Sequence, residues 1–375
     1  MSKKFLDVDA LVVERQVETR NSMSVTSFFA FSRRRRLGFG ITAWIMLSML
    51  LVACGSTSAT GSKPTVVIGY MDNGAEPELI VLAQNLFDKD MNANVQVKYF
   101  DSGPASLSAI AAGSVQIMTG IGSPPVVSAI TKGVPLQAVW AQELYNQDEG
   151  LVVQSTSGIS SVKGLAGKTV ALVLGSTSEY ALDATLTKAG VNPSSVHKLN
   201  MTPPAMRTAW LNHSIDAAYV WDPVFDALRT NGGTVLGTDQ DVKLEAPVYS
   251  LSVVNSSWAK DNAKLVQGFV QAQSEAVDYY KQHTQAAIQL MAKQDSISVA
   301  VATTEMSGFQ VFGVQDQLTA DGLGQGSSID SSLVAKSFVA SAQFMHSIGT
   351  LSTVPADFSQ NVNPTYVEDY LNSQK

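Results

Sequence analysis

The alternation of apolar and polar positions sets the first expectations. Thr65-Val66-Val67-Ile68-Gly69-Tyr70 is a β-branched apolar run, the pattern of a buried strand. Residues 78–88 follow with apolar side chains at helical spacing, Val95-Gln96-Val97-Lys98-Tyr99-Phe100 alternates strictly, and residues 105–112 return to helical spacing. Strand, helix, strand, helix implies parallel pairing, because a parallel strand needs a crossover to return.

The same order comes back after a spacing on the order of 100 residues, the mark of an internal duplication. Lys168-Thr169-Val170-Ala171-Leu172-Val173 matches the first strand, residues 180–189 the helix and residues 196–200 the second strand. Pro104-Ala105 has its counterpart in Pro204-Ala205, Gly113-Ser114-Val115-Gln116-Ile117 in His213-Ser214-Ile215-Asp216-Ala217, and the units close on Ser123-Pro124 and Asp222-Pro223. Shared order and landmarks predict an α/β chain of two similar lobes, each a mostly parallel sheet flanked by helices. Residues 65–150 begin the first lobe, 151–250 form the second, and 251–375 complete the first and add C-terminal helices. The chain is expected to cross near Leu151-Val152-Val153 and return near Leu251-Ser252-Val253-Val254, and paired crossings make a hinge. Helical patterns at 259–291, 298–309 and 332–346 are expected to pack against the first lobe.

The pattern before residue 65 is of another kind. Arg33 to Arg36 precede an uncharged run of about 17 residues, 37–53, short for a membrane span and suited to a signal peptide. It ends in Leu51-Val52-Ala53-Cys54-Gly55, a string that resembles a lipobox, so residues 1–53 are expected to be removed and Cys54 to carry lipid. Residues 54–64, rich in Gly, Ser and Thr, read as a tether. An uncleaved membrane helix is the competing reading. The stretch before the arginines is long for a leader and would shorten with a start at Met23, and Ser32-Arg33-Arg34 is a weak twin-arginine signal.

Removing residues 1–53 leaves 17 Lys and Arg against 28 Asp and Glu, a net charge of about −11 that argues against nucleic acid as a partner. With 45% hydrophobic residues the remainder has material for large cores. The single cysteine leaves no disulfide framework, zinc site or thiol nucleophile beyond the lipid position. His197, His213, His283 and His346 lack ligand spacing. No cofactor or metal is expected.

Ligands of open parallel sheets sit beyond the carboxyl ends of the strands, so two facing lobes place the site between them. Gly120-Ile121-Gly122-Ser123-Pro124 reads as strand end, glycine turn, Ser N-cap and Pro in the first helical turn, an anion-binding arrangement. Gly175-Ser176-Thr177-Ser178 repeats it in the second lobe, with Thr177 and Ser178 offering hydroxyls. Ordinary capped helices give the same pattern. Glu76 and Asp222 fall in the same layer and suit a ligand ammonium; for Asp222 a plain helix cap is the alternative. Tyr70, Trp140, Trp221 and Tyr249 lie at strand ends as possible walls, Trp221 foremost because it adjoins Asp222, with core packing the default for Trp140.

Ala75-Glu76-Pro77, Lys98 to Ala105 (KYFDSGPA), Gly120 to Pro124 (GIGSP), Pro203-Pro204-Ala205 and Asp216 to Pro223 (DAAYVWDP) resemble the taurine and aliphatic sulfonate binding proteins of ABC importers, type II periplasmic binding proteins of the nitrate, sulfonate and taurine group. The resemblance spans nearly all of the chain after residue 53. It implies a monomeric, exported receptor that passes a small sulfonate, taurine foremost, to a membrane permease with a cytoplasmic ATPase. It implies a pocket of Glu76, Ser123, Thr177, Ser178, Trp221 and Asp222, and Glu179 departs from the expected pattern. Nitrate, bicarbonate and thiamine-precursor pyrimidines are alternative cargoes. A biosynthetic enzyme on the same fold and a sensor that uses the clamp without a transporter are the rival classes.

Overall fold

The computed structural model describes residues 63–375, so the leader, Cys54 and most of the tether lie outside the described residues. The first unit runs β1 (Thr65–Tyr70), α1 (Glu78–Gln84), α2 (Leu86–Asp90), β2 (Asn94–Tyr99), α3 (Gly103–Ala111), β3 (Ile117–Gly122), α4 (Ser123–Thr131) and β4 (Leu136–Tyr145). One helix was expected over 78–88; it divides at Asn85, whose φ of 55° is a left-handed conformation that asparagine tolerates. Proline in the first turn opens both α3 and α4, where its missing N–H costs nothing.

The second unit repeats the plan: β5 (Glu149–Gln154), β6 (Thr169–Leu172), α5 (Thr177–Lys188), β7 (His197–Asn200), α6 (Pro203–Leu211), β8 (Ala217–Trp221), α7 (Val224–Thr230), β9 (Gly233–Thr238) and α8 (Asp239–Val242). The chain then returns through β10 (Tyr249–Asn255), α9 (Ser256–Asp261), α10 (Ala263–Gln282), α11 (Thr284–Gln294), α12 (Val299–Met306), β11 (Phe309–Val311), α13 (Leu333–Ser347) and α14 (Thr365–Ser373).

Two sheets result, ordered β11-β4-β10-β3-β1-β2 and β7-β6-β8-β5-β9. The expectation of mostly parallel sheets is corrected to mixed ones. In each, three strands are parallel, and the strand arriving from the other lobe lies antiparallel against the third: β10 against β3, β5 against β8. The duplication is legible in this matched order. The chain changes sheet at residues 146–148, just before Leu151-Val152-Val153, which lies inside β5. The two crossings run side by side, with the Tyr145 N–H donating to the Val248 carbonyl at 2.9 Å.

The apolar stripe at 259–291 is likewise split, at Asn262 and His283, into α9, α10 and α11. Phe87 stacks on Phe269 with centroids 5.2 Å apart, which seats α10 on the first sheet's helices. Phe309 begins a strand rather than ending a helix, because it extends the sheet edge along Tyr145.

Candidate ligand site

Strand direction gathers several backbone ends into one layer between the sheets. The carboxyl ends of β1, β3, β4, β6 and β8 point into it, and β5 and β10 start in it, since Glu149 pairs with Trp221 and Ser250 with Gly122. The lobes touch there. A side-chain carbon placed on Gly122, the N-cap of α4, would collide with Thr177 Cγ2 in the first turn of α5, so the two helix N-termini abut. Next to them, a Cβ on Gly175 would lie 3.8 Å from Pro104 Cγ, and one on Gly74 3.0 Å from Asp222 Cβ.

The predicted residues are all buried; Trp140, expected at a strand end, instead lies in the middle of β4 opposite Ser252 and packs in the core, and the polar atoms of the others are used in different ways. Ser123 is the first residue of α4 rather than its N-cap. Its hydroxyl lies 2.9 Å from Ser337 Oγ of α13, and Ser337 donates to the Val334 carbonyl, so Ser123 donates to Ser337 and turns its hydroxyl away from α5. Thr177 and Ser178 both donate to Glu149 Oε1, at 3.0 and 2.5 Å. Their hydroxyls serve an internal carboxylate at the positive end of α5, where negative charge is favoured.

Trp221 and Asp222 were grouped as neighbours in sequence, yet successive residues at a strand end diverge. Trp221 lies opposite Glu149 and shares its face. Asp222 turns to α7, where its Oδ1 accepts the Asp226 N–H at 2.7 Å, so one oxygen does the work of a helix cap. The Asp222-Pro223 bond is cis. Tyr249 donates its hydroxyl to the Asp321 carbonyl at 2.7 Å and stacks on Phe312, which leaves only its ring as a wall. Glu179 is neutralised where it stands: Lys198 Nζ lies 2.9 Å from it and 2.8 Å from Asp183, and Glu179 accepts the Gly175 N–H at 2.8 Å.

Glu76 differs from all of these. It is fully buried, and among the described residues its carboxylate oxygens accept no backbone N–H; the polar groups facing it are the Asn73 side chain and the Glu143 carboxyl. Burial pushes its carboxyl well above the ordinary carboxylate range, with Glu143, Glu78 and Asp72 adding repulsion. Further buried acidic groups share the region, and apart from Asp222 none of them was in the sequence-based site. Burial raises Glu143 to about 8, Glu149 and Asp222 to about 7, and Glu78 to about 7 against the hydrogen bond from Gln273. Glu305 is raised to about 8 by burial while accepting the Ala75 N–H at 2.8 Å. Three carboxyl contacts recur: Glu76 with Glu143, Glu149 with Asp239, and Asp72 with Asp295. Two carboxylates meet at hydrogen-bond distance only when one keeps a proton.

Glu143 and Glu149 carried a sequence signal that went unused: acidic residues inside the apolar strand runs Ala138-Val139-Trp140-Ala141-Gln142-Glu143 and Glu149-Gly150-Leu151-Val152. Charge in such a run is seldom buried without purpose. Gln142 is a second such residue. Its Oε1 accepts the Gly120 N–H at 2.7 Å and so holds the turn before α4, where the φ of 79° at Gly120 suits glycine.

Two α/β lobes of matching strand order, paired crossings and a buried polar layer between them define the periplasmic-binding-protein type of fold. The NMT1/THI5-like family model matches residues 89–287, and the chain belongs to that family. The taurine-binding periplasmic protein of Escherichia coli K12 is 30% identical over 319 residues, 85% of this chain and 98% of the relative. The structure of the alkanesulfonate-binding protein of Xanthomonas axonopodis pv. citri bound to MOPS superposes with a TM-score of 0.67 at 20% identity, over 80% of this chain and 99% of that one. A desulfurization enzyme superposes with a TM-score of 0.58 at 13% identity, over 84% of this chain and all of that one, so the fold alone does not separate receptor from enzyme.

Proposed function

We propose that this chain is the extracytoplasmic receptor of an ABC importer for a small amino-sulfonate, taurine foremost, held between the lobes. The observation that carries the reading is Glu76: a fully buried carboxylate that no basic residue pairs among the described residues, in the layer where the N-termini of α4 and α5 meet. Helix N-termini supply N–H groups and positive potential for a sulfonate. Glu76, with Asp222 nearby through the 72–76 loop, supplies charge-assisted acceptors for an ammonium group. Ser123, Thr177 and Ser178 contribute through their place at the helix ends, Trp221 and Tyr249 as walls. The family and the curated taurine-binding relative support the same reading.

Residues 65–150 with 251–375 form one lobe of the clamp and 151–250 the other. The lobes open about the paired crossings at 145 and 248, and ligand favours the closed form by bridging them. Residues 1–53 direct export, lipid on Cys54 anchors a monomer to the membrane, and the closed form delivers its cargo to the permease. The enzyme reading finds less support, because the relative that shares 30% identity over 85% of this chain is a binding protein.

A thermal-shift screen with taurine, short alkanesulfonates, nitrate, bicarbonate and pyrimidines tests the cargo. A ligand at 100 times its dissociation constant adds about 2.7 kcal/mol of stability. Taurine is expected to give the largest upward shift. A response to nitrate or a pyrimidine with none to sulfonates would replace the assignment.

A further inference from the structure

Glu143 lies within the buried stretch of β4, opposite Ser250 of β10 and Val311 of β11. Its carboxyl meets that of Glu76. The Asn73 side chain faces Glu76 and the Ser250 hydroxyl faces Glu143; among the described residues no basic side chain pairs either carboxyl, and both Glu76 oxygens and Glu143 Oε2 are buried. The groups that face the pair are Tyr70 at the end of β1, Asp72 and Asn73 in the following loop, Glu78 of α1 and Tyr145 at the end of β4. All of them are acidic or neutral. Lys188, Lys198 and Arg229, basic residues paired in the second lobe, are engaged by Glu245, by Glu179 and Asp183, and by Asp226 respectively.

On the reading that the ligand carries an ammonium group, we propose that Glu143 is the second carboxylate of the ammonium seat, and that Glu76 and Glu143 share a proton which the ligand displaces. In the empty protein one carboxyl is protonated and the other ionised, a pair of charge −1. When R–NH3+ enters, the O–H of the protonated member breaks, its proton goes to solvent, and both carboxylates accept N–H bonds from the ammonium. The seat again carries −1, now as two carboxylates and one cation, so its net charge is unchanged. No covalent bond to the ligand forms. A sulfonate without an amine has nothing to exchange for the proton and leaves the pair intact. Glu143 is therefore a specificity-determining residue, and uptake by this receptor releases a proton at the moment of capture. The burial that raises both carboxyls keeps the shared proton in place near neutral pH.

Calorimetric titration in two buffers of different ionisation enthalpy counts the protons directly. At pH 6.5 the wild-type protein is expected to release about one proton per taurine and none per ethanesulfonate, and its taurine affinity to rise about tenfold per pH unit below the titration of the pair. In Glu143→Gln, release falls to about zero and the pH dependence flattens, while ethanesulfonate affinity stays within about threefold of wild type. A purely structural Glu143 would lower both affinities and leave the proton count alone. Wild-type release of zero on taurine binding, or undiminished release in Glu143→Gln, overturns the proposal without needing the variant in the first case. The seat and the sulfonate reading fail separately: β-alanine binding with proton release and no taurine binding keeps the seat and removes the sulfonate, whereas ethanesulfonate binding alone removes the seat.

Discussion

Glu76 and Asp222 entered on equal terms and leave on different ones. Asp222 gives one oxygen to the Asp226 N–H, while Glu76 caps no helix and faces the Asn73 side chain and the Glu143 carboxyl. The expected outcomes separate accordingly. Glu76→Gln should weaken taurine by a factor of roughly 10 to 100, the worth of a hydrogen bond to a charged group, and leave ethanesulfonate nearly unchanged. Asp222→Ala should lower the melting temperature, since a lost cap costs about 0.5 to 2 kcal/mol, and should affect both ligands less selectively. Parallel calorimetry and thermal unfolding on the two variants check this ordering. At this scale the sequence was legible for placement and not for orientation. The predicted residues other than Trp140 lie at the strand and helix ends between the sheets, yet Ser123, Thr177, Ser178 and Tyr249 direct their hydroxyls to Ser337, Glu149 and Asp321. Partners distant in sequence decide such choices, and spacing does not encode them.

Among elements, the abutting ends of α4 and α5 are the feature most open to test. Gly122 has a φ of −75°, an ordinary value for any residue, so Gly122→Ala introduces no backbone strain there and acts through its collision with Thr177 alone. The variant is expected to fold with an unchanged circular dichroism spectrum and to bind its ligand at least about tenfold more weakly, because a close-packed contact does not absorb an added methyl without shifting. Equal affinity would mean that this contact is no part of the bound form. The strands and helices of the duplicated unit were legible because punctuation repeats with them: Pro104 and Pro204 both stand in the first turn of a helix. What escaped was β10 and β5 reversing direction inside their sheets. A fully buried strand looks the same in either direction, and only pairing distinguishes the two.

For the whole molecule, the buried acid layer sets how stability follows pH. Glu143 and Glu305 near 8 and Glu78, Glu149 and Asp222 near 7 are held above their ordinary range by burial. The folded form therefore keeps protons that the unfolded chain has released. Their contribution is fully present below the ordinary carboxylate range and is lost as pH rises through about 7 to 8. The melting temperature of the ligand-free protein should fall between about pH 5 and pH 8, and taurine should reduce the fall by supplying a cation to the layer. A melting temperature that climbs over that window would contradict the buried-acid description. Two lobes were legible from the duplication and an acidic chain from composition, but the gathering of acid between the lobes was not. It depends on strand ends from both halves meeting at one level.

The central claim is that the layer between the lobes recognises a small molecule by its anionic and its ammonium ends together. Titration of the wild-type protein with taurine and with ethanesulfonate at pH 7.5 measures it most directly, since the two ligands differ by the amine alone. The account predicts saturable one-to-one binding of taurine, tighter than ethanesulfonate by at least about tenfold, or 1.4 kcal/mol. Equal affinities, or binding of ethanesulfonate without taurine, would contradict it.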